Sequence, residues 1–174
     1  MTWQPSASLA SLREAASLRR SIRSWMDQQQ VLEVFTPSLS RAAATDPHVL
    51  SMATQDGRYL HTSPEFPMKR LLAAHAGAAA QIHGDCALPS QLQLPELSAL
   101  PDIYQIATVF RAEESGRYHN SEFTLLEWYR VGMNHLQLIE DLSALLKHVW
   151  LSFGMRWPGL HTRRYGDEVR QRLG

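Results

Sequence analysis

At 174 residues with 44% hydrophobic content, the chain is long enough to bury a core of its own. Its 17 basic and 17 acidic residues cancel, so nothing in the bulk charge draws it to nucleic acid or an anionic membrane, and any polyanion must be met at a local site. Charges interrupt every apolar stretch before it reaches the length of a membrane span, Met1 to Pro5 do not read as a secretory signal, and the one cysteine, Cys86, excludes an internal disulfide and a cysteine-cluster metal site. These features predict a soluble, cytoplasmic protein with no membrane partner.

In chain order, Leu9, Leu12, Ala16, Ile22, Trp25 and Met26 recur near helical spacing, with arginines 13, 19, 20 and 23 between them, and predict a helix over Ser8 to Gln28. Val31 to Thr36 reads as a strand closed by Pro37, and Thr45 to Gly57 as a loop. Arg58 to His61 is a short strand leading into the turn Thr62-Ser63-Pro64-Glu65, and Phe66 to Ala74 is a helix that carries Pro67 in its first turn. From His75 to Pro101 the chain is alanine-rich and sparsely charged without sustained periodicity, and reads as a long surface connection. Two strands follow, Ile103 to Glu113 and Glu122 to Arg130, then an amphipathic helix over Leu136 to Leu151. After Trp157-Pro158 the sequence turns polar.

The two strands carry the chemistry. Alternation puts Arg111 and Glu113 on one side of the first strand, and Phe123, Leu125, Glu127 and Tyr129 on one side of the second. Paired, they gather an arginine, two glutamates, a tyrosine and an aromatic ring on one face, while Phe110, Leu126 and Trp128 make the other face apolar. Charges set in so apolar a hairpin predict a polar pocket on a buried sheet. A guanidinium matches phosphate or carboxylate oxygens with a planar fork and keeps its charge at any working pH. Glu113 suits an exocyclic amine, Phe123 a purine face, and Glu127 with Tyr129 an ammonium group; Arg117, His119 and Asn120 lie in the loop within reach of distal phosphates.

Phe110-Arg111-Ala112-Glu113, a loop with His119-Asn120, then Phe123 and Glu127 resembles motif 2 of the class II aminoacyl-tRNA synthetases. The words Arg-Tyr-His-Asn-Ser-Glu-Phe and Leu-Glu-Trp-Tyr-Arg are similar to the lysyl subgroup, and best to its protein-modifying branch, the elongation factor P lysine ligases. Thr62-Ser63-Pro64-Glu65 with Met68-Lys69-Arg70-Leu71-Leu72 resembles the amino-acid-binding turn and helix of that subgroup, and Val31 to Pro37 resembles motif 1. The resemblance implies an α+β fold, an antiparallel sheet flanked by helices, as a single domain over 1–174 with an inserted loop at 75–101. It also implies activation of lysine or β-lysine by ATP as an adenylate, transfer to a lysine of elongation factor P, and a homodimer built through motif 1. Carried over by position, Arg111 meets the α-phosphate and substrate carboxylate, Ala112 and Glu113 the adenine, His119 and Asn120 the nucleotide, and Phe123 the adenine ring. Ser63, Pro64 and Glu65 line the amino-acid pocket, completed by Glu127 and Tyr129.

Motif 3, with its ATP-tail arginine and the acidic residues that hold Mg²⁺ in the family, has no counterpart in these 174 residues, so the resemblance implies a truncated domain of doubtful activity. The helix of motif 1 begins within the first ten or so residues, without the anticodon-binding barrel that precedes the core in lysyl-tRNA synthetases; this favours the protein-modifying branch over a lysine–tRNA ligase acting on tRNA. A third reading is a non-catalytic module for binding or dimerisation. The eight histidines show no metal-binding spacing beyond His75 and His83, so no metal site is expected among the residues present.

Overall fold

A computed structural model describes residues 7–82, 101–112, 116–117 and 119–173. The elements in order are α1 (Leu9–Gln28), β1 (Leu32–Glu33), β2 (Leu39–Ser40), β3 (Tyr59–Leu60), α2 (Glu65–Ile82), β4 (Ile103–Phe110), β5 (Glu122–Tyr129), α3 (His135–Ser152) and α4 (Tyr165–Leu173). By contacts the chain divides into two compact units, one of residues 29–132 and one formed by 1–28 with 133–174.

The unit of residues 29–132 is built on a three-stranded sheet in the order β1-β4-β5. β4 and β5 pair antiparallel from Ile103↔Tyr129 to Phe110↔Glu122, and β1 lies parallel to the start of β4 with Leu32 opposite Ile103. The strand expected over Val31 to Thr36 narrows to two residues for a local reason. After Val34 N–H donates to the Tyr104 carbonyl, the next available backbone donor, that of Thr36, goes to the Gln105 side chain instead of the ladder. A second, two-stranded sheet joins β2 to β3, with Leu39 opposite Leu60.

The core of this unit packs Val34, just past β1, and Ile103 of β4 against Met68 of α2, with Leu71, Leu72 and Tyr129 around them. Met68 and Ile103 are essentially inaccessible, which seats the first turns of α2 on the sheet. α2 runs through Ile82, eight residues beyond the expected end at Ala74. Alanine is the strongest helix former, so Ala76, Ala78, Ala79 and Ala80 extend the helix without the amphipathic period that would have announced it. The rest of the expected insertion, 83–100, lies outside the described residues.

In the other unit α1 packs on α3, burying Trp25 and Met26 of α1 and Leu145 of α3, while the Ser21 and Ser152 hydroxyls meet at 2.8 Å. α3 opens with a capping box: the Asn134 side chain accepts from Leu136 and Gln137 N–H, and the Gln137 side chain accepts from Asn134 N–H. Trp157 meets Trp150 edge to face at 5.8 Å between ring centres. α4 lies in the polar stretch that follows Trp157-Pro158. It buries nothing, and instead places Asp167 and Glu168 in its first turn and Arg170 and Arg172 in its last, where each sign suits the helix dipole. Among the described residues no helix is long and apolar enough to cross a membrane.

Candidate active site

The register of the hairpin settles which side chains share a face. Val109 opposes Phe123, Gln105 opposes Glu127 and Ile103 opposes Tyr129, and Arg111 N–H donates to the Ser121 carbonyl, continuing the same alternation one step past the strand. Arg111, Phe123, Glu127 and Tyr129 therefore lie on one face, as the period-two pattern predicts. That face is the more deeply covered along β4, where Ile103, Gln105, Ala107 and Val109 are all buried. The face of Phe110, Leu126 and Trp128 is half-buried, with Thr108, Glu122 and Thr124 exposed on it, so it is less uniformly apolar than the sequence suggests. Glu113 lies outside the described residues.

Arg111 is held from two sides. Its guanidinium lies 5.0 Å from the centre of the Phe123 ring, a cation–π contact, and its Nε donates to the Thr62 carbonyl at 3.3 Å. The arginine thus covers one face of the ring expected to stack on a purine. The Thr62 contact ties the end of the hairpin to the turn that opens α2. Pro64 is fully buried in that turn, and Glu65 begins the helix.

A cavity of about 430 Å³ lies between these parts, lined by Ala44, Thr45, Asp46, Val49, Thr62, Ser63, Glu65, Phe66 and Arg111. Three residues expected from sequence, Ser63, Glu65 and Arg111, converge on it. Sequence reading missed the wall made by Ala44 to Val49. Its only local sign is Asp46 before Pro47, whose carboxylate accepts the His48 N–H in a tight turn. His119 and Asn120 are exposed in the hairpin loop, where His119 pairs with Gly116, and they do not line this cavity.

The acidic side of the site is organised around Tyr129. Its hydroxyl donates to Glu127 Oε1 at 2.6 Å. Burial raises the phenol's pKa far above its ordinary value, reinforced by the Glu127 hydrogen bond and by the negative charges of Glu127 and Glu65. Two carboxylates from different elements are therefore felt at one half-buried hydroxyl, an arrangement suited to a cation. Glu65 already meets one, since Lys69 one turn on approaches its Oε1 at 2.5 Å on the exposed side. Gln105, opposite Glu127, was not anticipated; its Oε1 accepts from both the N–H and the hydroxyl of Thr36, at 3.2 and 2.8 Å.

With this geometry in place, the similarities to known proteins bear on it directly. Residues 91–161 match the family described as tRNA synthetases class II (D, K and N). The fold is similar to that of asparaginyl-tRNA synthetase from Pyrococcus horikoshii complexed with asparaginyl-adenylate, at a TM-score of 0.56 and 22% identity over 81% of this chain and 27% of that one. A putative aspartyl-tRNA synthetase from Leishmania major Friedlin gives the same TM-score at 14% identity, over 82% and 23%. The fold is that of part of a class II aminoacyl-tRNA synthetase core.

At higher identity, the chain is similar to proteins named elongation factor P–(R)-β-lysine ligase: 44% over 154 residues in Vibrio vulnificus strain YJ016 and 42% over 156 in Vibrio cholerae O1. The relative of that name in Edwardsiella ictaluri is 41% identical over 157 residues, 85% of this chain. The alignments take in 83 and 84% of this chain for the two Vibrio relatives, and the chain spans about two fifths of the length of the relatives it matches. Among the described residues no three His, Cys, Asp or Glu side chains converge.

Proposed function

We propose that the chain supplies the motif 2 half of a site that activates lysine or β-lysine with ATP, for transfer to a lysine of elongation factor P. The observation that carries the reading is Arg111 on the cavity wall beside Ser63 and Glu65, fixed by Thr62 and Phe123. Attack of a substrate carboxylate on the α-phosphate gathers negative charge between the two reacting groups. A guanidinium held in advance at that place stabilises the charge without having to reorganise during the reaction. Phe123 has the face away from Arg111 for an adenine ring, and Glu113 is placed by motif to receive its amine. Glu127 and Tyr129 sit close enough to Glu65, which lines the cavity, for its charge to be felt at the phenol, and the three together offer an acidic wall to an ammonium of the amino acid. The lysine preference follows from that wall and from the names of the relatives; elongation factor P as acceptor rests on those names alone. A homodimer formed through residues 9–37 completes the proposal.

The test is binding of a non-hydrolysable lysyl-sulfamoyl adenosine, followed by calorimetry. Arg111→Ala should weaken binding about 10- to 100-fold, the range for a hydrogen bond to a charged group. Equal affinity for the variant and the parent chain would remove Arg111 from the site.

A further inference from the structure

We propose that His61 is a positioning residue for Arg111, acting through the open edge of β4; the inference rests on the reading of Arg111 as the arginine that meets the α-phosphate. In the hairpin, Arg111 N–H turns toward β5, so by alternation the backbone groups of Tyr104, Thr108 and Phe110 face the opposite edge. β1 covers that edge only at its start, ending with Val34 N–H on the Tyr104 carbonyl. Beyond it, His61 serves the last groups before Arg111. The His61 carbonyl accepts from Phe110 N–H at 3.0 Å, and the ring Nε2 donates to the Thr108 carbonyl at 2.8 Å. The His61 N–H donates to the Ser38 carbonyl at 2.9 Å, which anchors the residue itself beside the β2–β3 sheet.

One residue thus substitutes for a missing strand segment, with its side chain taking the part of a backbone donor. The consequence reaches the site on both sides. Phe110 is followed directly by Arg111, and His61 by Thr62, whose carbonyl accepts from Arg111 Nε. The same residue therefore fixes the backbone that carries the guanidinium and the carbonyl that orients it. Donation from Nε2 to a carbonyl places the ring proton on that nitrogen, which leaves Nδ1 as an acceptor. Nδ1 is buried without a hydrogen-bond partner among the described residues. An apolar side chain would fill the same space without burying an unpaired acceptor; what it would lack is the Nε2 donor. The function of the histidine lies in that donor.

The experiment compares the parent chain with His61→Leu, His61→Gln, Arg111→Ala and the His61→Leu/Arg111→Ala double variant, using lysyl-sulfamoyl adenosine and plain adenosine as probes. The Gln side-chain amide can replace the Nε2 donor. His61→Leu should weaken the sulfamoyl ligand about tenfold, within the coupling expected of contacting residues, while adenosine binding stays within about twofold. His61→Gln should restore most of the loss, and His61→Leu should add nothing once Arg111 is alanine. The ¹⁵Nε–¹H resonance of Arg111 gives a readout independent of ligand: it should move or broaden in His61→Leu and persist in His61→Gln. Independent, multiplying effects of the two substitutions would overturn the proposal, as would a His61→Gln variant as impaired as His61→Leu or an Arg111 resonance indifferent to His61→Leu. If the parent chain ignores the sulfamoyl ligand while the resonance responds as stated, the functional reading fails and the positioning role stands.

Discussion

The Tyr129 hydroxyl donates to Glu127 Oε1 at 2.6 Å from two residues along the same strand and the same face, so the hydroxyl spends its proton on the carboxylate it helps to hold. The bond fixes the rotamer of Glu127 and leaves its other lone pairs for a cation. It also binds the phenol's behaviour to pH. The native phenol holds its proton well past the ordinary range, because burial and then the hydrogen bond and charge of Glu127 disfavour phenolate.

The sign of the resulting linkage follows directly. Below the unfolded phenol's pKa of about 10 both states carry the proton, and the contribution to stability is fully present. As pH rises past that value the unfolded chain loses the proton and the native chain does not, so stability falls. Phenolate absorbance measured up to about pH 11 under native conditions should be the same for the parent chain and Tyr129→Phe. A lower signal in the variant would mean that Tyr129 ionises in the native protein. In denaturant the two chains should differ by one phenol.

The Asp102–Arg130 pair predicts a stability effect. Asp102 Oδ2 lies 3.3 Å from the Arg130 guanidinium, whose side chain is 7% exposed, while Asp102 Oδ1 accepts Val131 N–H at 2.6 Å. The Asp102 carbonyl accepts from Leu32, so the residue joins β1 to both strands at the open end of the hairpin. Asp102→Ala should destabilise the chain by about 2–3 kcal/mol; this is below the 3–5 kcal/mol for breaking a fully buried pair because Asp102 is partly solvated. Asp102→Asn, which keeps the acceptor for Val131, should cost about half as much. Urea unfolding with unchanged m-values checks both, and indistinguishable midpoints for Asp102→Ala and the parent chain would refute the assignment.

Residues 9–37 leave a succession of large apolar side chains in solvent: Leu9, Leu12, Leu18, Leu32 and Phe35, the last 79% exposed. Scattered single exposures are ordinary, but five in a segment that resembles the dimer element of the family favour a covered state. Sedimentation at high micromolar concentration should show self-association, and Phe35→Glu should shift it toward monomer without lowering thermal stability. A monomeric parent chain over that range would rule the interface out.

Much of this was legible where the code is local. The hairpin announced itself by period-two alternation around Arg111, Glu127 and Tyr129, and α3 by its apolar stripe. What stayed hidden depends on contacts between residues far apart in sequence. Gln105 in a strand is an ordinary polar residue until Thr36 is brought to its amide, and His61 is one of eight histidines until β1 stops short of Thr108. The extension of α2 past Ala74 and the charged α4 have another reason: the first is alanine-rich without an apolar stripe, and the apolar side of the second is only Tyr165, Val169 and Leu173 among charges.

The last prediction separates the carboxylates around Tyr129 from the cation already beside one of them. Glu65 is paired with Lys69 in an exposed i,i+4 contact, of a kind worth about 0.3–0.5 kcal/mol. So weak a pair cannot withhold Glu65 from an ammonium bound in the site. Lys69→Met should therefore change lysine affinity by no more than about twofold to threefold, in either direction. Glu127 is different, because it is half-buried and accepts the Tyr129 proton. Glu127→Gln keeps its shape and an acceptor oxygen but removes the charge, and should weaken binding of lysine or β-lysine about 10- to 100-fold, the range for a charge-assisted hydrogen bond. Glu65→Gln should fall between the two, since its carboxylate is closer to solvent. Norleucine, which has the carbon chain of lysine without the terminal ammonium, distinguishes which amine is recognised. If Glu127→Gln lowers lysine and norleucine affinity by the same factor, Glu127 holds the α-ammonium; if only lysine weakens, it holds the distal one. Unchanged affinity for both ligands would show that the acidic wall around Tyr129 is not where the amino acid binds.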